Sequence, residues 1–285
     1  MTFCCYKSTI KNLLRSPTFW LCFGVLIVVS IESGLRASHG IYDQTIKEVI
    51  YDTDPRYILE YKPFIQWINN GVSRLISYML PIFCVATTAI VLSRDYGDRF
   101  YEVEKAAGIK PFTYCIARIA ALLTINTIVS ILASFLVIHL YVITRGGVFD
   151  IGLLDYVAES TLRILRTDTM RVLPCILFYI CLTYLLGTLF KNTVVASTGG
   201  MAYAIFCYAH SYFNITKDGF FIDFIVPNPS KLQNYLHYYD TEWFDDVIVL
   251  LNTSSQEAFA CIGILLSFSL LFFLISYLRI RKRTV

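Results

Sequence analysis

Charge is scarce in this sequence. Asp, Glu, Lys and Arg together make up 16% of the 285 residues, where a soluble domain carries about 25%. Hydrophobic residues make up 56%, against roughly 45–50% in a soluble domain. The mean hydropathy is +0.59. Both departures argue against an ordinary soluble domain and for a polytopic membrane protein.

Catalytic chemistry is missing too. Charged residues are absent from the centres of the apolar runs, and Glu32, Arg118 and Glu257 fall at their ends. His139 and His210 stand one per run, with no HxxxH or HExxH partner, so no metal centre is expected. "GTLFKNT" at Gly187 lacks the second Gly before Lys that a phosphate-binding loop needs. The chain therefore carries no nucleotide site of its own, needs no cofactor and is not an enzyme. The net charge of +3 contains no basic patch beyond topology signals, so nucleic acid is not an expected partner. An ion-coupled carrier keeps a carboxylate or a broken helix near the membrane midplane. No such carboxylate is found here, although Pro81 and Pro174 are candidate kinks. The only amide well inside a run is Asn126, expected to bond across to another helix.

What is present is length. Six apolar runs occur, at about Pro17–Leu35, Leu75–Leu92, Phe112–Ile143, Val172–Phe190, Thr193–Phe213 and Ala258–Leu278. A bilayer core of roughly 30 Å takes about 20 helical residues, and helices satisfy their own backbone hydrogen bonds in lipid. The expectation is an all-α polytopic protein with six transmembrane helices, a single transmembrane domain over residues 1–285. A basic leader before the first run also resembles a signal peptide. No A-x-A pattern follows it, so an uncleaved first span is expected.

Six spans put both termini on one side. With that side cytoplasmic, the inner segments hold 13 of the 24 Lys and Arg but only four of the 21 Asp and Glu. They are also far shorter than the outer ones, and "LRIRKRTV" at the end is the clearest positive-inside signal. None of the nine cysteines falls in the three outer loops, as an oxidising exterior would favour; no disulfide is expected. The reading is a multi-pass protein of the cell (plasma) membrane with both termini cytoplasmic. In "MTFCCYKSTIKNLLRSPTFW", Ile10, Leu13 and Leu14 share one helix side and Lys7, Lys11 and Arg15 another. This suits an N-terminal interfacial helix that ends where Pro17 opens span one. The outer segments "DYVAESTLRIL" and "SKLQNYLHYYDTEWFDDVIVLL" are expected to form short helices, with Tyr235, Trp243 and Phe244 capping the span ends.

The loop between spans two and three is the most charged stretch in the interior of the chain: "LSRDYGDRFYEVEKAAGIKPFTYCIARI". "RDYGDRFYEVEKAAG" reads as a short amphipathic helix, with Phe100, Val103 and Ala107 as an apolar stripe and Asp98, Glu102 and Lys105 exposed. Gly108 ends it and Pro111 starts the next span. Such a helix either fits a groove on a cytosolic partner or is a charged connector.

These residues resemble the permease subunit of ABC transporters of the ABC-2 (type V exporter-like) family. There an interfacial elbow helix ends in an "RSP-F" sequence, matched here by Arg15-Ser16-Pro17-Thr18-Phe19. The loop after span two carries an acidic residue, a Gly, a short coupling helix and a Pro, here Asp95, Gly97, Phe100–Ala107 and Pro111. A "NPS" before the last span is matched by Pro227-Asn228-Pro229-Ser230. "RDYGDRF" departs from the family's usual Glu-x-x-x-Gly-Thr by having Asp95 and an early Gly97. The resemblance implies a substrate path, probable direction outward, formed by a dimer with a second permease copy or paralogue in the lipid bilayer. It implies a separate cytosolic ABC ATP-binding subunit, docked on a coupling helix that includes Asp95, Gly97, Phe100, Glu102, Val103, Ala107, Gly108 and Pro111. Ala196, Gly200 and Ala204 recur every four residues on span five and permit close helix contact, as a dimer seam or as internal packing. Two other classes remain open: a passive or ion-driven carrier or channel with no ATPase partner, and a membrane anchor for a signalling or assembly complex.

Overall fold

The computed structural model describes residues 2–48, 67, 71–72, 74–97, 100–144, 169–213, 227, 229 and 255–282. Among these every regular element is a helix. In chain order they are α1 (Thr2–Leu14), α2 (Pro17–Glu48), a π turn (Leu75–Met79) running into α3 (Leu80–Gly97), α4 (Phe100–Ala106), α5 (Pro111–Thr144), α6 (Thr169–Phe190), α7 (Thr193–Phe213) and α8 (Ser255–Lys282). The segments expected to cap the spans, with Tyr235, Trp243 and Phe244, lie outside the described residues.

Five helices are long and apolar enough to cross a membrane, at Pro17–Arg36, Leu75–Tyr96, Pro111–Leu140, Val172–Phe190 and Phe259–Lys282. The chain is a multi-pass membrane protein by that measure. The remaining expected span is the helix α7, but it does not stand among those five. Its sequence, TVVASTGGMAYAIFCYAHSYF, spends many positions on small and weakly polar residues rather than on large aliphatic ones.

Local chemistry sets the helix ends. Ser16 precedes Pro17, and Pro suits the first helical position because that N–H has no helical partner. The Ser16 carbonyl accepts from the Phe19 N–H at 3.1 Å, and the Leu14 carbonyl accepts from the Trp20 indole at 2.7 Å. Between α6 and α7 only Lys191 and Asn192 intervene. Lys191 takes φ 53°, and the Asn192 side chain caps α7 by accepting from the Val194 N–H at 2.8 Å. Pro81 cannot donate a backbone hydrogen bond, and its ring crowds the preceding turn. The helix widens just before it, so that the Leu80 N–H closes onto the Leu75 carbonyl in a π turn.

The bundle is built around α3 and α6. In each, 72% of the span window is buried, against 28% in α2 and 17% in α8. Helix α6 packs against α3, α5, α7 and α8. Close approach depends on small residues. Ala196 and Ala204 are fully buried, and a Cβ on Gly200 would meet Thr183 Oγ1 at 2.8 Å and Val85 Cγ1 at 2.9 Å. The four-residue stripe on α7 therefore faces the interior of this chain, against α6 and α3. Asn126 on α5 donates to Thr87 Oγ1 on α3 at 3.1 Å and to its own helix at the Leu122 carbonyl at 2.8 Å. Pro227 and Pro229 of the expected motif touch the same bundle. The Tyr203 hydroxyl donates to the Pro227 carbonyl, and Cys175 Sγ lies 3.6 Å from the Pro229 carbonyl. None of the nine cysteines forms a disulfide.

Gly200→Val is expected to destabilise the bundle by about 1–3 kcal/mol through overpacking. Gly24→Ala, where a Cβ meets nothing within 4 Å, is expected to be neutral. Thermal unfolding of the purified protein in detergent checks both, and equal midpoints for the two variants would contradict the packing described.

Candidate functional site

The charged stretch divides differently from the expected loop. Helix α3 runs on to Gly97 rather than ending at Leu92, and α5 begins at Pro111. Asp95 and Arg118 are therefore on the ends of spans, not in a connector. Arg118 lies two turns into the Pro111–Leu140 helix and is buried there. It can do so because its charge is met there. Arg118 Nη2 donates to Asp95 Oδ1 at 2.8 Å, and the two side chains are 3% and 5% exposed. Its second terminal nitrogen donates to Thr9 Oγ1 on α1, and Thr9 in turn donates to the Cys5 carbonyl at 2.8 Å. The guanidinium carbon stands 5.1 Å from the Tyr114 ring centroid, a cation–π distance.

A second carboxylate joins this group. Glu104 on α4 lies 3.8 Å from Arg118 Nη2 and accepts from Cys5 Sγ at 3.2 Å. Burial pushes the Cys5 thiol up to about 12; nearby Arg118 opposes the rise, and the hydrogen bond to Glu104 adds to it. Cys5 is accordingly a protonated donor at neutral pH. Four helices thus meet at one guanidinium: α1 through Thr9, α3 through Asp95, α4 through Glu104, and α5, which carries it.

Helix α1 reaches this junction by an unexpected face. Its buried line is Cys5, Thr9 and Leu13, spaced i, i+4, i+8, while Leu14 and Phe3 are exposed. Ile10 is only partly buried against the core. The helix packs along α5 with a line that is partly polar, because that line must supply Arg118 with a hydroxyl.

The short helix α4 is held at its C-terminus by backbone geometry. Gly108 takes φ 81°. Its N–H donates to the Lys105 carbonyl at 2.9 Å, and the Ile109 N–H donates to the Glu104 carbonyl at 3.1 Å. This is a Schellman closure, and a positive φ makes Gly the natural residue at 108. Glu102, Val103, Lys105 and Ala107 are exposed, with Val103 at 61%. The side chain of Phe100 lies outside the described residues, as do those of Gly97's neighbours Asp98 and Arg99. The residues expected for coupling therefore separate. Glu102, Val103 and Ala107 face outward, Gly108 and Pro111 set chain direction, and Asp95 is buried in the ion pair. Asn126, Gly200 and Ala204 lie farther along the bundle, in helix packing, whereas Ala196 is buried in the same cluster as Cys5 and Tyr114.

Sequence reasoning overlooked Glu104 and the depth of Arg118. For Arg118 a signal existed: it shares a helix face with Tyr114, Leu122, Ile125 and Val129, all buried. A charge on an apolar face at helical spacing calls for a partner. For Glu104 no such signal existed, since its partners are 14 residues ahead and 99 residues behind. Among the described residues no group of His, Cys, Asp and Glu is arranged to hold a metal ion.

Arg118→Leu leaves Asp95 and Glu104 buried without a cation, and is expected to cost about 3–5 kcal/mol. Asp95→Asn combined with Arg118→Leu is expected to cost less than Arg118→Leu alone, because the pair is removed together. A double-mutant cycle on thermal stability in detergent measures the coupling; strict additivity would dissolve the pair as an energetic unit.

No family model, no curated protein and no solved structure matches the chain.

Proposed function

We propose that the protein is the membrane-spanning permease subunit of an ATP-driven transporter of the ABC-2 type, an exporter that forms its substrate path as a dimer. Its ATP hydrolysis belongs to a separate cytosolic subunit, and both of its termini are cytoplasmic in the plasma membrane. The observation that carries this reading is α4: a capped helix of seven residues, presenting Val103 and Ala107 outward while Glu104 ties it to the ends of α3 and α5. A plain connector has no reason to be fixed to the spans and also to hold a large apolar side chain, Val103, 61% exposed among its charges. A helix that docks in a groove on a partner needs both properties. Docking buries the apolar residues, and fixation passes the partner's displacement to the spans. The remainder of the chain supports a subunit without its own energy source. Its charged cluster is internally paired, and its apolar helices are of membrane-spanning length.

Burying a Val side chain against a partner contributes roughly 1.5–3 kcal/mol, and a carboxylate in its place loses hydration without compensation. Val103→Asp is therefore expected to weaken capture of the ATP-binding subunit by tenfold or more, about 1.4 kcal/mol or greater, at unchanged membrane level. Glu102→Ala is expected to change capture little, since exposed charge pairs are worth about 0–1 kcal/mol. The measurement is co-purification of an ATP-binding-cassette subunit from native membranes with each variant at equal level. Capture of such a subunit by the parent and by Val103→Asp alike would remove the docking role from α4. Recovery of transport in vesicles without any ATPase would replace the permease by a carrier or channel.

Orientation has its own test. Cys4 is exposed on α1, so it is expected to resist an impermeant thiol reagent in intact cells and to react after permeabilisation. A Cys substituted at Asp155 is expected to react from outside. The reverse pattern would invert the topology and place α4 on the wrong side for a cytosolic ATPase.

A further inference from the structure

Helix α4 is too short to be stable on its own; isolated helices below about 12–15 residues are marginal. Its position must come from what it buries. Among its described side chains only Glu104 is buried, while Glu102, Val103, Lys105 and Ala106 are exposed. Among the described side chains, then, what seats α4 is a carboxylate. That carboxylate is in an unequal competition. Arg118 holds Asp95 at 2.8 Å and Glu104 at only 3.8 Å. The cluster sets two carboxylates against one buried guanidinium. If Glu104 leaves, an ion pair of zero net charge remains between α3 and α5, and Glu104 regains water. If it stays, it keeps the Cys5 thiol and a share of Arg118 but bears repulsion from Asp95 and the cost of burial.

We infer that Glu104 is a releasable latch: seated, it fastens α4 to α1 and α5 through Cys5 and Arg118, and released, it frees α4 while the Asp95–Arg118 pair keeps the bundle closed. What such a latch transmits rests on the permease reading above. That α4 is latched does not, since the latch is a property of this chain alone.

The bundle contains its own reporter. Cys5 is 2% exposed and touches Glu104 directly, and its thiol is held up near 12 while seated. Release exposes the sulfur and removes the burial that keeps it protonated, so maleimide alkylation of Cys5 reads the open fraction. The experiment uses the full-length protein in detergent, with Cys4→Ser in the background and with labelling mapped to Cys5 by peptide mass spectrometry. Three variants separate a latch from an ordinary prop. Glu104→Lys sets like charge against Arg118 and is expected to raise the Cys5 labelling rate about tenfold or more. Glu104→Gln keeps the shape and an acceptor for Cys5 while removing the surplus negative charge, and is expected to label no faster than the parent. Glu102→Lys makes the same charge change on the exposed side of α4 and is expected to leave the rate unchanged. If Glu104→Lys does not elute as a folded species, Glu104→Ala takes its place, with labelling expected above that of Glu104→Gln. Faster labelling in both Glu104→Gln and Glu104→Lys would make Glu104 a simple structural support and overturn the inference. An unchanged rate in Glu104→Lys, or in a folded Glu104→Ala, would show that α4 is seated by something else and would overturn it equally. Because no ATPase is present in this assay, its failure leaves the capture experiment with Val103→Asp standing, and the reverse also holds.

Discussion

A guanidinium two turns inside a membrane-spanning helix cannot be left without a counter-charge. Arg stays ionised under essentially all conditions in proteins, so burial of Arg118 forces a carboxylate to its side. Asp95 meets that need at 2.8 Å, which fixes how the end of α3 lies against the start of α5. The remaining donors of Arg118 then fix α1, through Thr9. The buried line of α1 follows from this. Its three buried positions include a Thr and a Cys because they must bond to a charged group, not merely fill space. The orientation of three helices at one end of the bundle thus depends on a single ion pair.

The rest of the bundle is held in another way. Between apolar helices in lipid, burial itself gives little drive, because acyl chains are as apolar as Leu. Close fit and hydrogen bonds must supply the association. Gly200 lets α7 come against Thr183 and Val85, and Gly187 admits Leu92, whose Cδ1 would lie 2.5 Å from a Cβ at that site. Thr87 and Asn126 exchange hydrogen bonds between α3 and α5. Each contact is short and tied to a small or amide side chain, so it defines a register rather than a general attraction. The same pair of helices, α3 and α5, is therefore pinned twice: by Thr87–Asn126 in the apolar zone and by Asp95–Arg118 at the charged end.

The two kinds of contact were unequally legible in the sequence. An apolar run is a property of a contiguous segment, so the helices Thr169–Phe190 and Thr193–Phe213 appear where the apolar runs stand. The helix Phe100–Ala106 was legible for the same reason, bounded by Gly108 and Pro111. Partners distant in sequence were not. Asp95 looked like part of a charged loop because its partner is 23 residues away on another helix. Glu104 looked like one more solvated acid beside Glu102. Burial of one and exposure of the other depend on which face of α4 meets Cys5, and Cys5 is 99 residues away. Amphipathic spacing on α1 did not show its inward line. Ile10, Leu13 and Leu14 predicted an apolar side for the membrane interface, and the side turned to the bundle is Cys5, Thr9 and Leu13. A hydrophobic pattern reports where apolar residues want to go, and it does not show which small polar residues a buried charge on a neighbour will draw in.

The placement of the ion pair has a mechanical consequence. A force applied to α4 enters the bundle where α3 and α5 are joined by a charge pair and not where they are joined by packed methyl groups. A packed interface yields by losing many small contacts at once, and its resistance is spread along its length. A charge pair in a dry setting resists sliding at one point, since the attraction grows as the surrounding dielectric falls. Displacement of α4 is thus delivered to the ends of α3 and α5 together and to α1 with them. The Thr87–Asn126 bonds farther along act as the next fixed point. Between these two points α3 holds no buried charge, and beyond the second it enters the π turn before Pro81, where helical hydrogen bonding is already rearranged. In the permease proposed above, that turn would be where rigid-body motion at the charged end becomes bending of the span, because a helix bends most readily where its hydrogen-bond ladder is interrupted.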